Sequence, residues 1–61
     1  MSRKQQDYKI GTRVKVVNGR YRDKKGTIRS KDGVLNPILR VEFDDGSWSD
    51  YEFMDFKLRL A

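Results

Sequence analysis

The chain contains no cysteine and no histidine. Disulfide stapling is thereby excluded, and so are the usual zinc sites, which are built mainly from thiolate and imidazole. A lack of thiols also fits a reducing compartment. No apolar run approaches the roughly 20 residues needed to span a bilayer. Residues 1–7 are charged, with no apolar stretch behind them, unlike a secretory leader. These absences lead us to expect a soluble, cytoplasmic protein without a membrane partner. Catalytic signatures are missing too: there is no Gly-x-Ser-x-Gly elbow and no phosphate-cradling glycine loop. Carboxylates are present, but so short a chain offers no deep cleft to raise the pKa of one of them. The spacing of Asp44, Asp45, Asp50, Glu52 and Asp55 departs from the Asp-x-Asp-x-Asp-Gly run of a calcium loop. The expectation is therefore no enzyme, no metal, no cofactor and no small-molecule substrate.

What remains is charge, β-patterning and turns. Sixty-one residues make one domain, and a chain of this size buries only about 60% of its unfolded surface. Its net charge of +5 is unevenly spread. Residues 1–31 hold eleven Lys/Arg against Asp7 and Asp23, a balance of +9. Residues 32–61 hold three Lys/Arg against seven acids, a balance of −4. Segregation of this kind points to a polyanionic partner for the basic part.

Residues 1–9 read as a basic flexible tail and residues 10–61 as the folded domain. Arg13-Val14-Lys15-Val16-Val17 alternates with the period of a half-buried strand. Asn18-Gly19 breaks it with a turn signal. Gly26 to Ser30 reads as a second strand, and Asp32-Gly33 as the next turn. Pro37 cannot donate a ladder hydrogen bond and so belongs at the start of strand three, Ile38 to Phe43. Asp44-Asp45-Gly46 is a hairpin turn, followed by a strand over roughly Ser47 to Phe53. Met54-Asp55-Phe56 suits a short 3-10 turn, and Lys57 to Leu60 a closing strand. The fold class is all-β: five short strands, expected to close into a small barrel because closure removes exposed edges. Val14, Val16, Ile28, Leu39, Val41, Phe43, Phe53, Phe56 and Leu58 form the expected core.

The stretch from Gly11 to Ile28 is the most informative. An alternating strand leads to Asn18-Gly19; Tyr21 and Asp23 follow, then Gly26 seven residues after Gly19, and Thr27-Ile28 resume the strand. This resembles the KOW motif of SH3-like barrels in transcription elongation factors and ribosomal proteins. Within that class it is most similar to the C-terminal domain of NusG-type transcription factors, over about residues 11–60. Glu52-Phe53-Met54-Asp55-Phe56 fits the family's apolar-Asp-Phe ending. The resemblance implies a five-stranded SH3-like barrel and a role in binding RNA or DNA, or a nucleoprotein machine such as RNA polymerase or the ribosome, with a part in transcription regulation. Family functions that need the larger polymerase-contacting domain preceding this one in NusG-type factors are not carried over.

The residues support the same reading on their own terms. Gly19 and Gly26 bracket a loop in which positive φ would strain other residues. Asp23 can accept backbone N–H bonds and hold the loop's shape. Arg20, Tyr21, Arg22, Lys24 and Lys25 are then left to point outward, cations for phosphates and a ring for a base. Arg13, Lys15, Arg29 and Lys31 extend this candidate surface along the strands. Trp48 and Tyr51 form a second candidate face. With Asp50 they resemble the aromatic cage of Tudor-type barrels, which holds methylated cations. A fainter similarity links the Gly-x-x-Val strand and the Phe-acidic-Gly-x-Trp turn to SH3-like accessory subunits of photosynthetic complexes. The alternative function is accordingly a protein-interaction subunit that docks its basic face on an acidic protein and uses Trp48 and Tyr51 as contacts.

Overall fold

The computed structural model describes residues 8–61. Residues 1–7, most of the expected tail, lie outside the described residues. Five strands follow one another, β1 (Arg13–Val16), β2 (Lys25–Asp32), β3 (Ile38–Phe43), β4 (Trp48–Glu52) and β5 (Leu58–Leu60), with a 3-10 turn at Phe53–Asp55 before the last. They form one antiparallel sheet in the order β4-β3-β2-β1-β5. Each strand falls within two residues of its expected bounds, β2 running on through Asp32, which was expected to begin a turn. No helix among the described residues is long and apolar enough to cross a membrane.

The strand period of two sorts the side chains onto two faces. Val14, Val16, Ile28, Leu39, Val41, Phe43 and Leu58 are buried in one cluster, each aliphatic side chain worth about 1.5–3 kcal/mol of transfer free energy. Phe53 and Phe56 depart from the expected core: Phe53 only packs against it from a half-buried position, and Phe56 is 64% exposed. Both lie on the 3-10 turn or its cap, where the two-residue period that governs the strands no longer sets direction. Tyr8 takes the place they leave. Its hydroxyl donates to the Leu58 carbonyl at 2.8 Å, and its ring meets Phe53 edge-on at 5.9 Å.

The sheet is not closed as a barrel, because β4 and β5 end it without pairing to each other. The three residues of β5 pair on one edge with β1 through Val14↔Leu60, Lys15↔Arg59 and Val16↔Leu58. Between the two edges lies a groove lined by Tyr8, Leu39, Phe53, Phe56 and Leu58. Curvature comes instead from β2, where the register with β3 shifts between Ile28 and Ser30. The extra residue, Arg29, makes a bulge that bends the strand.

Two glycines act at the turns as expected, with φ of +97° at Gly19 and +91° at Gly46. Gly26 serves a different purpose from the one the sequence suggested. It lies inside β2 with no positive φ, and a Cβ there would stand 2.5 Å from the Glu42 carbonyl oxygen. Close approach of β2 to β3, and not loop strain, is what requires glycine at this position. Opposite the 19–25 loop, the β2–β3 connection is fastened by Asn36. Its amide donates to Glu52 at 2.9 Å, and its oxygen accepts the Met54 N–H at 2.9 Å.

Candidate functional site

The 18–24 loop is folded tightly on itself. Arg22 N–H donates to the Gly19 carbonyl and Lys24 N–H to the Tyr21 carbonyl, at 3.2 and 3.0 Å. Asp23 shapes it through the backbone, with φ of +75° and its N–H donating to the Val16 carbonyl at 2.7 Å. The expected bonds from backbone N–H groups to the Asp23 carboxylate are not formed; that group lies 3.9 Å from Lys15 Nζ. Tyr21 does not project outward. It is half-buried against Phe43, with centroids 5.3 Å apart, between Arg20 and Lys24 at 5.7 and 5.2 Å from its centroid. The ring is an anchor for the loop, and the cations ride over it.

Several of the candidate cations are neutralised across strands. Arg13 holds Asp44 through two bonds of 2.7 and 2.9 Å, Lys24 meets Asp45 at 2.6 Å, and Arg29 meets Glu42 at 3.0 Å. The Arg13 guanidinium lowers the Asp44 carboxyl below the usual range. Asp45 is lowered further, by Lys24 first and then by the Ser47 hydroxyl and N–H. Lys31 is already engaged elsewhere. Arg20, Arg22 and Lys25 are exposed and form no ion pair among the described residues.

The register then brings together three cations that are far apart in sequence. Lys15 lies opposite Lys25 on one side and opposite Arg59 on the other. The bonds flanking these pairs, Val16 N–H to the Lys24 carbonyl and Val17 N–H to the Lys57 carbonyl, decide their spacing. They make Lys15–Lys25 a close, non-bonded pair and Lys15–Arg59 a bonded one, with Cα atoms roughly 4.5 and 5.5 Å apart. All three lie on the outer face, since their neighbours Val14, Val16, Gly26 and Leu58 are buried. They line a shallow groove together with Val17 and Asp23. Like charges directly opposite each other destabilise a sheet, and among the described residues lining the groove Asp23 carries the one acidic side chain. Arg59 was missed because it belongs to the acidic half. Its alternation within Lys57-Leu58-Arg59-Leu60 predicts a face but not that β1 would be the neighbour.

The second candidate face is divided. Tyr51 points inward and packs, half-buried, against the core. Trp48 stays 50% exposed, on the opposite face of β4, with Arg40 at 6.0 Å from its centroid. Arg40 is itself held by Asp50 through bonds of 3.0 and 3.3 Å, which lower the Asp50 carboxyl and raise the guanidinium. Trp48 and Tyr51 thus do not enclose one hole, so the geometry of a cation cage is not formed. Compared with known proteins, the chain matches no family model, no curated protein and no solved structure.

Proposed function

We infer that the chain is a non-enzymatic binding module of the KOW-type SH3-like class, working in the cytoplasm, that grips the phosphate backbone of RNA or DNA, free or within a polymerase- or ribosome-type assembly. The observation that carries this reading is the row Arg59–Lys15–Lys25. A fold that sets three cations directly across from one another accepts an electrostatic cost, and a chain of phosphates is the ligand that would reverse its sign. Arg20 and Arg22 on the adjoining loop extend the row, and Tyr21 steadies that loop from beneath. Five antiparallel strands and a 3-10 turn before the last one support the SH3-like part of the reading. Base specificity is not part of the proposal, because phosphate contacts carry no sequence information directly.

Anisotropy titration of labelled single-stranded RNA and DNA at several salt concentrations tests it. Five cations on single-stranded phosphates predict a slope of log K against log salt of about −3.5, at roughly −0.7 per contact. Lys25→Glu with Arg59→Glu should flatten the slope and weaken RNA and DNA alike. Binding that is absent even at low salt would overturn the reading. The row would then be a docking face for an acidic protein.

A further inference from the structure

The open edge of β4 is a different kind of site, independent of the cationic row. Phe43 N–H donates to the Ser47 carbonyl at 2.7 Å and Phe53 N–H to the Pro37 carbonyl at 2.9 Å. Those two bonds fix the alternation of the β3–β4 ladder, so Ser49 and Tyr51 face β3 with their backbone groups while Trp48, Asp50 and Glu52 turn theirs away. Among the described residues those outward N–H and C=O groups meet no backbone partner. At the opposite border the Leu58 carbonyl is already taken by the Tyr8 hydroxyl. The end of β4 opens onto the largely apolar groove between Phe53, Phe56 and Leu58, which Glu52 and Lys57 also line. Phe56, in that groove, holds a left-handed conformation with φ of +54° and ψ of +39°, one that bulky side chains rarely adopt.

Charge says what would lie there. Asp44, Asp45, Glu42 and Asp50 are consumed by Arg13, Lys24, Arg29 and Arg40. Asp32, Glu52 and Asp55 form no ion pair among the described residues. All three cluster at the end where β4 finishes: Asp32 pairs with Ile38 on β3, Ile38 pairs with Glu52, and Asp55 follows on the 3-10 turn. Lys25 and Asp32 occupy opposite ends of the eight-residue β2, so Asp32, and Glu52 near it, stand up to about 23 Å from Lys25 at a rise of ~3.3 Å per residue, while Asp55 lies two residues before Lys57, whose carbonyl accepts the Val17 N–H. Against these three acids the groove sets one lysine, Lys57, so the net charge here is negative and disfavours an anionic membrane or a nucleic acid. It favours a basic strand.

We propose that the free edge of β4 accepts an extended, basic segment of a partner protein as a sixth strand, with a large apolar side chain of that segment seated in the Phe53–Phe56–Leu58 groove. Main-chain hydrogen bonds to Trp48, Asp50 and Glu52 supply the pairing, the groove supplies selectivity, and Glu52 and Asp55 select the charge. The proposal does not depend on polyanion binding by the opposite face.

Three capped heptapeptides serve as probes for the whole chain: one alternating lysine with valine and leucine, one alternating glutamate with the same residues, and the lysine peptide N-methylated at alternate backbone nitrogens. Amide exchange followed by NMR should slow about tenfold or more at Trp48, Asp50 and Glu52 when the lysine peptide is present. The N-methylated and glutamate peptides should bind about tenfold more weakly or worse, and Asp55→Lys, at an exposed residue, should weaken the lysine peptide severalfold. Equal binding of the N-methylated peptide would overturn strand addition, as would protection appearing at the Lys15 row. No binding of the lysine peptide would overturn the site itself.

Discussion

Replacing Gly26 by alanine tests whether the sheet is held as closely as the register implies. An alanine Cβ would stand 2.5 Å from the Glu42 carbonyl oxygen, 2.8 Å from Val41 Cγ1 and 3.0 Å from the Glu42 carbonyl carbon. Optimal carbon contacts lie near 3.5–4.0 Å, so the neighbour must yield by the better part of an ångström. Two of the three obstacles are β3 backbone atoms, which cannot rotate aside, and β2 and β3 would have to separate where Gly26 pairs with Phe43. Overpacking of this kind costs about 1–3 kcal/mol. Loss of unfolded-state freedom on replacing glycine returns about 0.4–1 kcal/mol, leaving roughly 1–2 kcal/mol of net destabilisation. A domain this small has on the order of 3–9 kcal/mol to lose, and each kcal/mol moves the melting temperature by about 4–8 °C. Urea and thermal unfolding followed by Trp48 fluorescence should therefore show a midpoint about 4–16 °C lower. Gly19→Ala is the control, since its Cβ would meet only Lys57 Nζ at 3.9 Å and pays for its φ of +97° alone. If Gly26→Ala cost less than about 0.5 kcal/mol, below the overpacking range, the close approach of β2 to β3 would be wrong.

Tyr21→Phe should be nearly neutral while Tyr21→Ala should cost about 2 kcal/mol, because the half-buried ring packs on Phe43; denaturant titration of both variants checks this, and equal losses would shift the weight to the hydroxyl. Asp44, Asp45 and Asp50 have folded pKa values lowered by their hydrogen-bonded cations, so they stabilise the fold above the unfolded carboxylate pKa and that contribution is lost as pH falls through the folded values. With no histidine, the melting temperature should be flat between about pH 5 and 8 and fall below about pH 4, with Asp45→Asn blunting the acid limb; a main transition near neutral pH would contradict this. Phe56→Asn should raise stability by about 0.5–1 kcal/mol by relieving a left-handed, mostly exposed phenylalanine, and a lowered midpoint would show that its groove contacts outweigh the strain.

Strand positions were legible because short-range chemistry decides them. β3 begins right after Pro37, which has no N–H to donate to the ladder though its carbonyl accepts from Phe53, and ends before Asp44-Asp45-Gly46, which carries the positive φ of the hairpin. The seven buried core residues were readable for the same reason, each lying on the apolar phase of a two-residue repeat. Phe53 and Phe56 were not, since a 3-10 turn between strands has no such phase. Tyr21 was misread as outward because a loop position has no periodicity at all; only the arrival of Phe43 from β3 gives its ring a surface to cover. Closure could not be read from the strands themselves, since each strand's pattern gives a face but not whether β5, paired with β1 on one edge, would meet β4 on the other.

Charge is where local reading misleads most, and the reason is topological. The cations of residues 1–31 and the acids of residues 32–61 suggested a basic half and an acidic half. Antiparallel pairing of β2 with β3 lays one half against the other, so Arg29 meets Glu42, and the turn after β3 brings Asp44 and Asp45 back to Arg13 and Lys24. Much of the apparent basic patch is thereby cancelled at its centre. Lys25 and Arg59 escape without an ion pair among the described residues, and Lys15 keeps only its 3.9 Å contact with Asp23; strand position alone does not decide this, since Arg13, on β1 with Lys15, reaches Asp44. The acids that escape are Asp32 and Glu52, at the other end of β2, and Asp55 on the 3-10 turn. The surface that results is a cationic row on one side and an acidic, apolar-floored edge on the other. Mutations chosen from sequence runs, such as Lys24→Ala with Lys25→Ala, would combine one cation already paired with Asp45 and one that is not. Substituting Lys15, Lys25 and Arg59 singly separates the two cases: each should weaken polyanion binding by a similar factor, whereas Lys24→Ala should chiefly loosen the Asp45 turn. If Lys24→Ala instead weakened binding as much as Lys25→Ala, the ion pairs would be opening to meet the ligand, and the loop, not the strand row, would be the contact.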